Sequence, residues 1–227
     1  MMLFFLFFLA VSKEQVQDYT KLRGKMVEEQ IIARGVSDSS VIDAMLTVKR
    51  HLFVPKILIQ AAYEDHPLPI GYDQTISQPY IVAIMTELLE LKNTHRVLEV
   101  GTGSGYQAAV LSLLADSVFS IEIIPELAYS AEERLDSLGY KNVLVKAGDG
   151  YKGWKEHASF DGIIVTCAPK EVPPLLLEQL AIGGRMVIPV GSYYQELLLI
   201  TKDSTGISEK SIIPVRFVPM IKGKEKN

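Results

Sequence analysis

Val97-Leu98-Glu99-Val100-Gly101-Thr102-Gly103-Ser104-Gly105-Tyr106-Gln107 is the stretch on which the reading of this chain turns. Val97, Leu98 and Val100 form the short apolar run of a buried parallel strand. Gly101, Gly103 and Gly105 fall at every second position, and a backbone without side chains can pass close to a ligand. The residues from Tyr106 to Ala115 predict a helix that offers that ligand its first N–H groups and positive dipole end. Glu122, placed 21 residues after Gly101, closes a second apolar run, Val118 to Ile121. An acid about 20 residues past a glycine turn is placed to accept hydrogen bonds from ribose hydroxyls. The pattern predicts a nucleoside-bearing cofactor held on a doubly wound sheet.

The glycine spacing narrows the cofactor. A dinucleotide turn reads G-x-G-x-x-G, and here Tyr106 stands where the third glycine belongs. A weaker frame, Gly103, Gly105 and Ala108, fits G-x-G-x-x-A. The G-x-G-x-G spacing with Glu99 ahead of it resembles motif I of the S-adenosylmethionine-dependent methyltransferases. A turn that only packs a helix on a strand is the simpler account of the glycines alone, and Glu122 weighs against it.

Bulk properties set the frame. The chain has 227 residues, enough for one domain with a small appended layer. Hydrophobic residues make up 48% and charged residues 22%, ordinary for a globular protein. Net charge is −4 and no Lys/Arg block occurs, which argues against a nucleic-acid partner. A single cysteine, Cys167, excludes an internal disulfide and a cysteine metal cluster, and four scattered histidines give no metal site. Met1 to Val11 is an unbroken apolar run, too short to span a bilayer as a helix and without the basic start of a secretory signal. It reads as a leader outside the fold, residues 1–12, ahead of a single domain at 13–227; an atypical export signal is the alternative. Cytoplasmic location without stable membrane association is the expectation, and a monomer is expected.

Along the chain, Lys13 to Arg34 predicts a helix stopped by Gly35. Ser37-Asp38-Ser39 caps a second, about Ser40 to Val48. Pro55 to Ala62 is a short helical or turn segment. Tyr63 to Ser77, with Pro67, Pro69, Gly71 and Asp73, reads as a turn-rich loop. Pro79 opens a third helix ending near Leu91, with Ile81, Ile84, Met85, Leu88 and Leu89 on one face. From Asn93 strands and helices alternate: strand 96–100, helix 106–115, strand 118–122, helix 125–138, strand 143–146, strand 161–166, helix 172–181, strand 184–189. Two last strands, about 195–202 and 211–218, follow with Asp203-Ser204-Thr205-Gly206 between them and must pair as a hairpin. The fold class is α/β: a doubly wound, mostly parallel seven-stranded sheet (93–227) with an antiparallel C-terminal hairpin and an N-terminal helical layer (13–92).

Gly148-Asp149-Gly150 follows the third strand, where ligands bind in such sheets. Asp149 either accepts from an adenine amino group or merely makes a turn. Val165-Thr166-Cys167-Ala168-Pro169 lacks the Asp/Asn-Pro-Pro-aromatic motif that methyltransferases of amino nitrogens carry. That disfavours an amino nucleophile and suits a carboxylate, which is ionised at neutral pH without a general base. Cys167 has no neighbouring histidine and reads as a small core residue.

The stretch Ala62–Tyr80, with Ala62-Tyr63-Glu64-Asp65-His66-Pro67-Leu68-Pro69-Ile70-Gly71 running into Tyr72-Asp73-Gln74-Thr75-Ile76-Ser77-Gln78-Pro79-Tyr80, resembles the signature of the protein-L-isoaspartate O-methyltransferase family. The likeness continues through Val97–Gln107, Gly148–Gly150, Phe160–Thr166, Gly183–Gly191 and Val215–Pro219. Asp73 departs from the glycine usual in bacterial members, and Ile123 from their arginine. The resemblance implies methyl transfer from S-adenosyl-L-methionine to the free α-carboxylate of L-isoaspartyl residues in damaged proteins and peptides, which begins repair through a succinimide. By the same likeness Thr75, Ile76 and Ser77 line the cofactor. Gly101, Thr102 and Gly103 hold its methionine part, Glu122 the ribose, and Gly148-Asp149 the adenine. Val215 to Val218 pairs with the substrate backbone. Ser77 is the candidate catalytic donor to the substrate carboxylate, against a simpler role as helix N-cap. Two other functions stand beside this one: a module that binds S-adenosylmethionine without catalysis, and an NAD-type oxidoreductase.

Overall fold

A computed structural model describes residues 18–223. The apolar leader and the first residues of the predicted helix from Lys13 lie outside the described residues. The sheet has seven strands: β3 (Arg96–Val100), β4 (Ser117–Glu122), β5 (Val143–Ala147), β6 (Phe160–Val165), β7 (Leu180–Gly191), β8 (Gln195–Asp203) and β9 (Gly206–Val215). Their spatial order is β5-β4-β3-β6-β7-β8-β9. Pairings from β5 through β7 are parallel, and β8 is antiparallel to both its neighbours. The chain reverses its winding between β3 and β6, so the carboxyl ends of those two strands border a crevice where ligands bind in such sheets.

Alternation along β3 sends its side chains to two cores. Val97 packs with the N-terminal layer and with α4 (Tyr106–Ser112), while Leu98 and Val100 pack with Phe160, Leu176 and Met186 on the other face. Glu99 shares the Val97 face and is fully buried. α3 (Pro79–Leu88), α4 and α5 (Pro125–Ser137) cover the first face, and α6 (Pro174–Gln179) with short 3-10 turns covers the second.

Four sequence expectations are corrected. Among the described residues the predicted first helix is α-helical over α1 (Tyr19–Met26); Val27–Ile31 widens into a π turn and Ile32–Arg34 tightens to 3-10 before Gly35. The π turn carries Gln30, whose Nε2 donates to the Tyr63 carbonyl at 2.8 Å. The helix expected at 172–181 shrinks to α6, because β7 already begins at Leu180. The last strand starts at Gly206, five residues earlier than expected, and residues 216–218 leave it. The loop Tyr63–Ser77 contains a hairpin, β1 (Leu68–Gly71) and β2 (Gln74–Ile76), turned by Tyr72 and Asp73 at φ +53° and +57°. Two left-handed residues fit a type I′ turn, in which glycine is the usual second residue. Asp73→Gly should therefore stabilise the fold by about 0.5–1 kcal/mol, read as a rise in Tm of about 1–3 °C.

The N-terminal layer clamps the root of this hairpin loop. Buried Arg50 donates from Nε to the Ala62 carbonyl at 2.7 Å, next to the carbonyl held by Gln30. α2 (Ser39–Thr47), capped by Asp38, supports that wall. At the loop's far end Gln78 Nε2 donates to Asp65 Oδ1 at 2.7 Å, and Arg34 bridges the same carboxylate at 3.1 Å. Ser77 is thereby held between a pinned neighbour and β2.

Candidate active site

The glycine turn passes from β3 into α4 with Gly101, Gly103 and Gly105 all at positive φ, +100°, +52° and +85°. Gly101 is required by contact as well as by conformation: an added Cβ would lie 2.4 Å from the Thr166 hydroxyl at the end of β6. That hydroxyl donates towards the carbonyls of Gly101 and Val100, at 2.6 and 3.1 Å, and ties the ends of β3 and β6 together. Ile70 of β1 packs on Gly103 from above. The hairpin therefore roofs the turn.

Between turn and hairpin lies a cleft that encloses about 540 Å³ when its open mouth is counted. Thr75, Gly101, Gly103, Glu122, Thr166 and Cys167 line it, with residues 218–221 along its far side. A small extension runs under the hairpin and adds Ile76, Ser77, Thr102 and Gln107. Four of the nine residues singled out from sequence thus border the cleft, and Ile76, Ser77 and Thr102 border the adjoining pocket, which shares Thr75, Gly101 and Gly103 with it. Gly148 and Asp149 do not line it; Gly150 does. Asp149 Oδ1 accepts from Tyr151 N at 3.0 Å, and its carboxylate lies against Gly223 of the C-terminal segment.

Glu122 is 5% exposed and already employed: Oε2 accepts from Gly103 N at 2.8 Å and Oε1 from Ile124 N at 3.0 Å. Each carboxylate oxygen keeps a further lone pair for a ligand hydroxyl. Sequence spacing revealed the acid but not its grip on the glycine turn, which depends on β3 and β4 lying side by side.

Ser77 sits in the extension and is not the helix cap. Gln78 holds the N-cap position of α3, without a side-chain cap bond. Among the described residues the Ser77 hydroxyl has no hydrogen-bond partner. Nearby hydroxyls are committed. Thr102 is hydrogen-bonded to Ser120 at 2.5 Å, and Ser120 in turn to Glu99 Oε2. Cys167 is excluded as a nucleophile, because burial and Glu122 push its thiol up to about 12.

Glu99 is the group sequence reasoning underused. It lies beneath the turn with Oε1 unpartnered, and burial pushes its carboxyl up to about 8. The folded state then binds a proton that the unfolded chain has released, so this residue's contribution falls as pH rises from about 4.5 to 8. Glu99→Gln keeps an acceptor for Ser120 and removes the charge. The variant should lose this slope and be more stable than wild type at pH 8–9, by on the order of a few kcal/mol. Thermal melts of both proteins from about pH 4.5 to 9 check it; curves parallel over the whole range would show that Glu99 does not titrate.

A mostly parallel sheet with one antiparallel strand near its edge, a G-x-G-x-G turn and a buried acid lining the cleft at the end of the next strand define the nucleoside-cofactor methyltransferase class of fold. The family model described as protein-L-isoaspartate(D-aspartate) O-methyltransferase (PCMT) matches residues 21–225. The chain is 55% identical over 199 residues to the protein-L-isoaspartate O-methyltransferase of Picosynechococcus sp., covering 88% of this chain and 90% of that one. It is 54% identical over 220 residues to protein-L-isoaspartate O-methyltransferase 1 of Nitrosospira multiformis, covering 95% and 93%. A solved protein-L-isoaspartate O-methyltransferase superposes with a TM-score of 0.80 at 32% identity, covering 87% of this chain and 65% of that one. A beta-aspartate methyltransferase (PCMT) from Plasmodium falciparum, crystallised with S-adenosyl-L-homocysteine, gives 0.76 at 26% identity, covering 91% and 100%. The chain belongs to the protein-L-isoaspartate(D-aspartate) O-methyltransferase family.

Proposed function

We propose that Ser77 is the hydroxyl that orients the substrate carboxylate in this enzyme, with the cleft beneath the hairpin as the reaction site. The chain is an S-adenosylmethionine-dependent methyltransferase acting on the free α-carboxylate of L-isoaspartyl residues, and the ester it makes recyclises to a succinimide from which normal aspartate can be regained. The observation that carries the residue assignments is the cleft itself, in which Glu122, the glycine turn and Thr75–Ser77 face one another. Its donor and acceptor set suits S-adenosylmethionine. Gly101, Thr102 and Gly103 would hold the methionine part, Glu122 the ribose, and Gly150 with the neighbouring Asp149 the adenine side.

When bound, the cofactor supplies a methyl group on a sulfonium sulfur, which a carboxylate oxygen displaces in line. The protein's part is to align and to dry. Opposite charges cancel as the reaction proceeds, so a strong cation on the carboxylate would favour the ground state. Ser77 offers a neutral donor instead. Ile70 and Ile76 above, and residues 218–221 opposite, exclude water from the reacting atoms.

The protein works as a monomer in the cytoplasm on damaged polypeptides, not nucleic acid, with residues 13–227 as one methyltransferase unit. The net charge of −4 without a basic block weighs against a nucleic-acid partner, and the single cysteine is compatible with a reducing compartment. No helix among the described residues is long and apolar enough to cross a membrane. Methyl incorporation into a matched pair of peptides, one isoaspartyl and one aspartyl, tests the activity. Labelling of the isoaspartyl peptide alone is expected; equal labelling, or none, would overturn it.

A further inference from the structure

The substrate is a polypeptide, yet only one of its residues needs to reach the cofactor cleft. A second groove adjoins that cleft, over the carboxyl ends of β6 and β7, the half of the sheet edge that the first cleft leaves open. Its walls are Pro173 and Pro174 at the start of α6, Tyr193 between β7 and β8, Tyr151, and Pro219 with Met220. The last two also line the cofactor cleft, so Pro219 and Met220 form a wall common to both. That wall is fixed. Ala168 N donates to Val218 O and Met220 N to Ala168 O, each at 2.8 Å, and Gln195 brackets the backbone of Phe217 with bonds of 2.6 and 3.1 Å. The groove encloses about 1460 Å³ with its open mouth, room for several residues of extended chain.

Tyr193 is the feature that asks for an occupant. Its side chain is fully exposed at the groove's rim. The turn that presents it has one tight shape: an added Cβ on Gly191 would lie 1.9 Å from the Tyr194 carbonyl oxygen. Lys170, Glu171 and Lys222 ring the groove with both signs, and the Lys222 ammonium lies 5.2 Å over the Tyr151 ring. Such a surface selects by apolar contact more than by charge.

We propose that this groove is a docking subsite for the polypeptide flanking the isoaspartyl residue, and that it takes an aromatic or aliphatic side chain two to four residues away. The spacing follows from the strand end: Thr166 faces the cofactor cleft and Ala168 the groove, and an extended chain advances about 3.3 Å per residue. The inference rests on the isoaspartyl activity, so its test carries a short peptide as control. Initial rates are measured with a minimal isoaspartyl peptide and with the same core extended by four residues on either side, the extension containing phenylalanine or only serine. Wild type should show a KM about five- to ten-fold lower for one phenylalanine extension. Tyr193→Ala should return that KM to the value of the minimal peptide, leaving kcat and the minimal peptide's own KM unchanged; Tyr193→Phe should retain the advantage. Equal KM for all peptides with wild type, or an advantage that survives Tyr193→Ala, overturns the subsite. A minimal peptide that wild type does not methylate would instead overturn the activity beneath it.

Discussion

Glu122→Ala should weaken S-adenosylmethionine or S-adenosylhomocysteine binding by at least about a hundred-fold and also lower the stability of the free protein. Two losses combine. The first is the acceptor for the ribose diol, whose charge-assisted bonds are each worth about 1.5–3 kcal/mol. The second is internal. Gly103 N and Ile124 N, which donate to the two carboxylate oxygens at 2.8 and 3.0 Å, lose their acceptors in a nearly water-free place. Two such losses should cost about 2–3 kcal/mol, a fall in Tm of roughly 5–10 °C. The glycine turn, no longer held from below, then loosens where the cofactor must meet it. Glu122→Gln separates the parts, because its carbonyl oxygen keeps one backbone donor and its volume is conserved. It should recover most of the stability and only part of the affinity. Calorimetric titration with S-adenosylhomocysteine at a temperature well below both melting points checks this. Unchanged affinity in the alanine variant would show that the end of β4 does not meet the ribose.

This double service of Glu122 marks the boundary of what the sequence could disclose. The turn, the acid and their separation of 21 residues were legible because a βαβ unit has a near-constant length. The bond from Gly103 N to the same acid was not, since it depends on the parallel register that sets Val100 beside Ile121. Apolar runs such as Val97–Val100 and Phe160–Val165 announced the central strands. The hairpin of Leu68–Gly71 and Gln74–Ile76 is hidden in the sequence because its strands are short, the first contains Pro69 and follows Pro67, and the turn is made by Tyr72-Asp73 instead of a glycine pair. Residues 216–218 read as a continuation of the last strand. They leave the strand instead and lead into Pro219 and Met220, which line both clefts, and a short apolar run has the same composition in either place. Likewise no glycine or proline marks the π turn at Val27–Ile31, although it places Gln30 against the root of the substrate loop.

Ser77→Ala should reduce kcat/KM for isoaspartyl peptides about ten- to a hundred-fold while leaving cofactor affinity and stability near wild type. The hydroxyl has no protein partner among the described residues, and Gln78 occupies the cap position of α3, so its removal breaks no bond that holds the fold. Its place is held by other means: Gln78 is bonded to Asp65, Ile76 is buried, and the loop root is gripped at Ala62 and Tyr63. A serine so fixed can point one donor at one acceptor without ordering cost at the moment of reaction. The loss should equal one hydrogen bond to a carboxylate, about 1.5–3 kcal/mol of transition-state stabilisation. Thr166 cannot take over, since its hydroxyl proton is already given to a backbone carbonyl, and the Thr102 hydroxyl is paired with Ser120. Denaturant midpoint, S-adenosylhomocysteine affinity and peptide methylation measured on one sample of Ser77→Ala distinguish the roles. A shifted midpoint with normal kinetics would make Ser77 a structural residue. A loss confined to cofactor affinity would move it to the methionine side of the cleft.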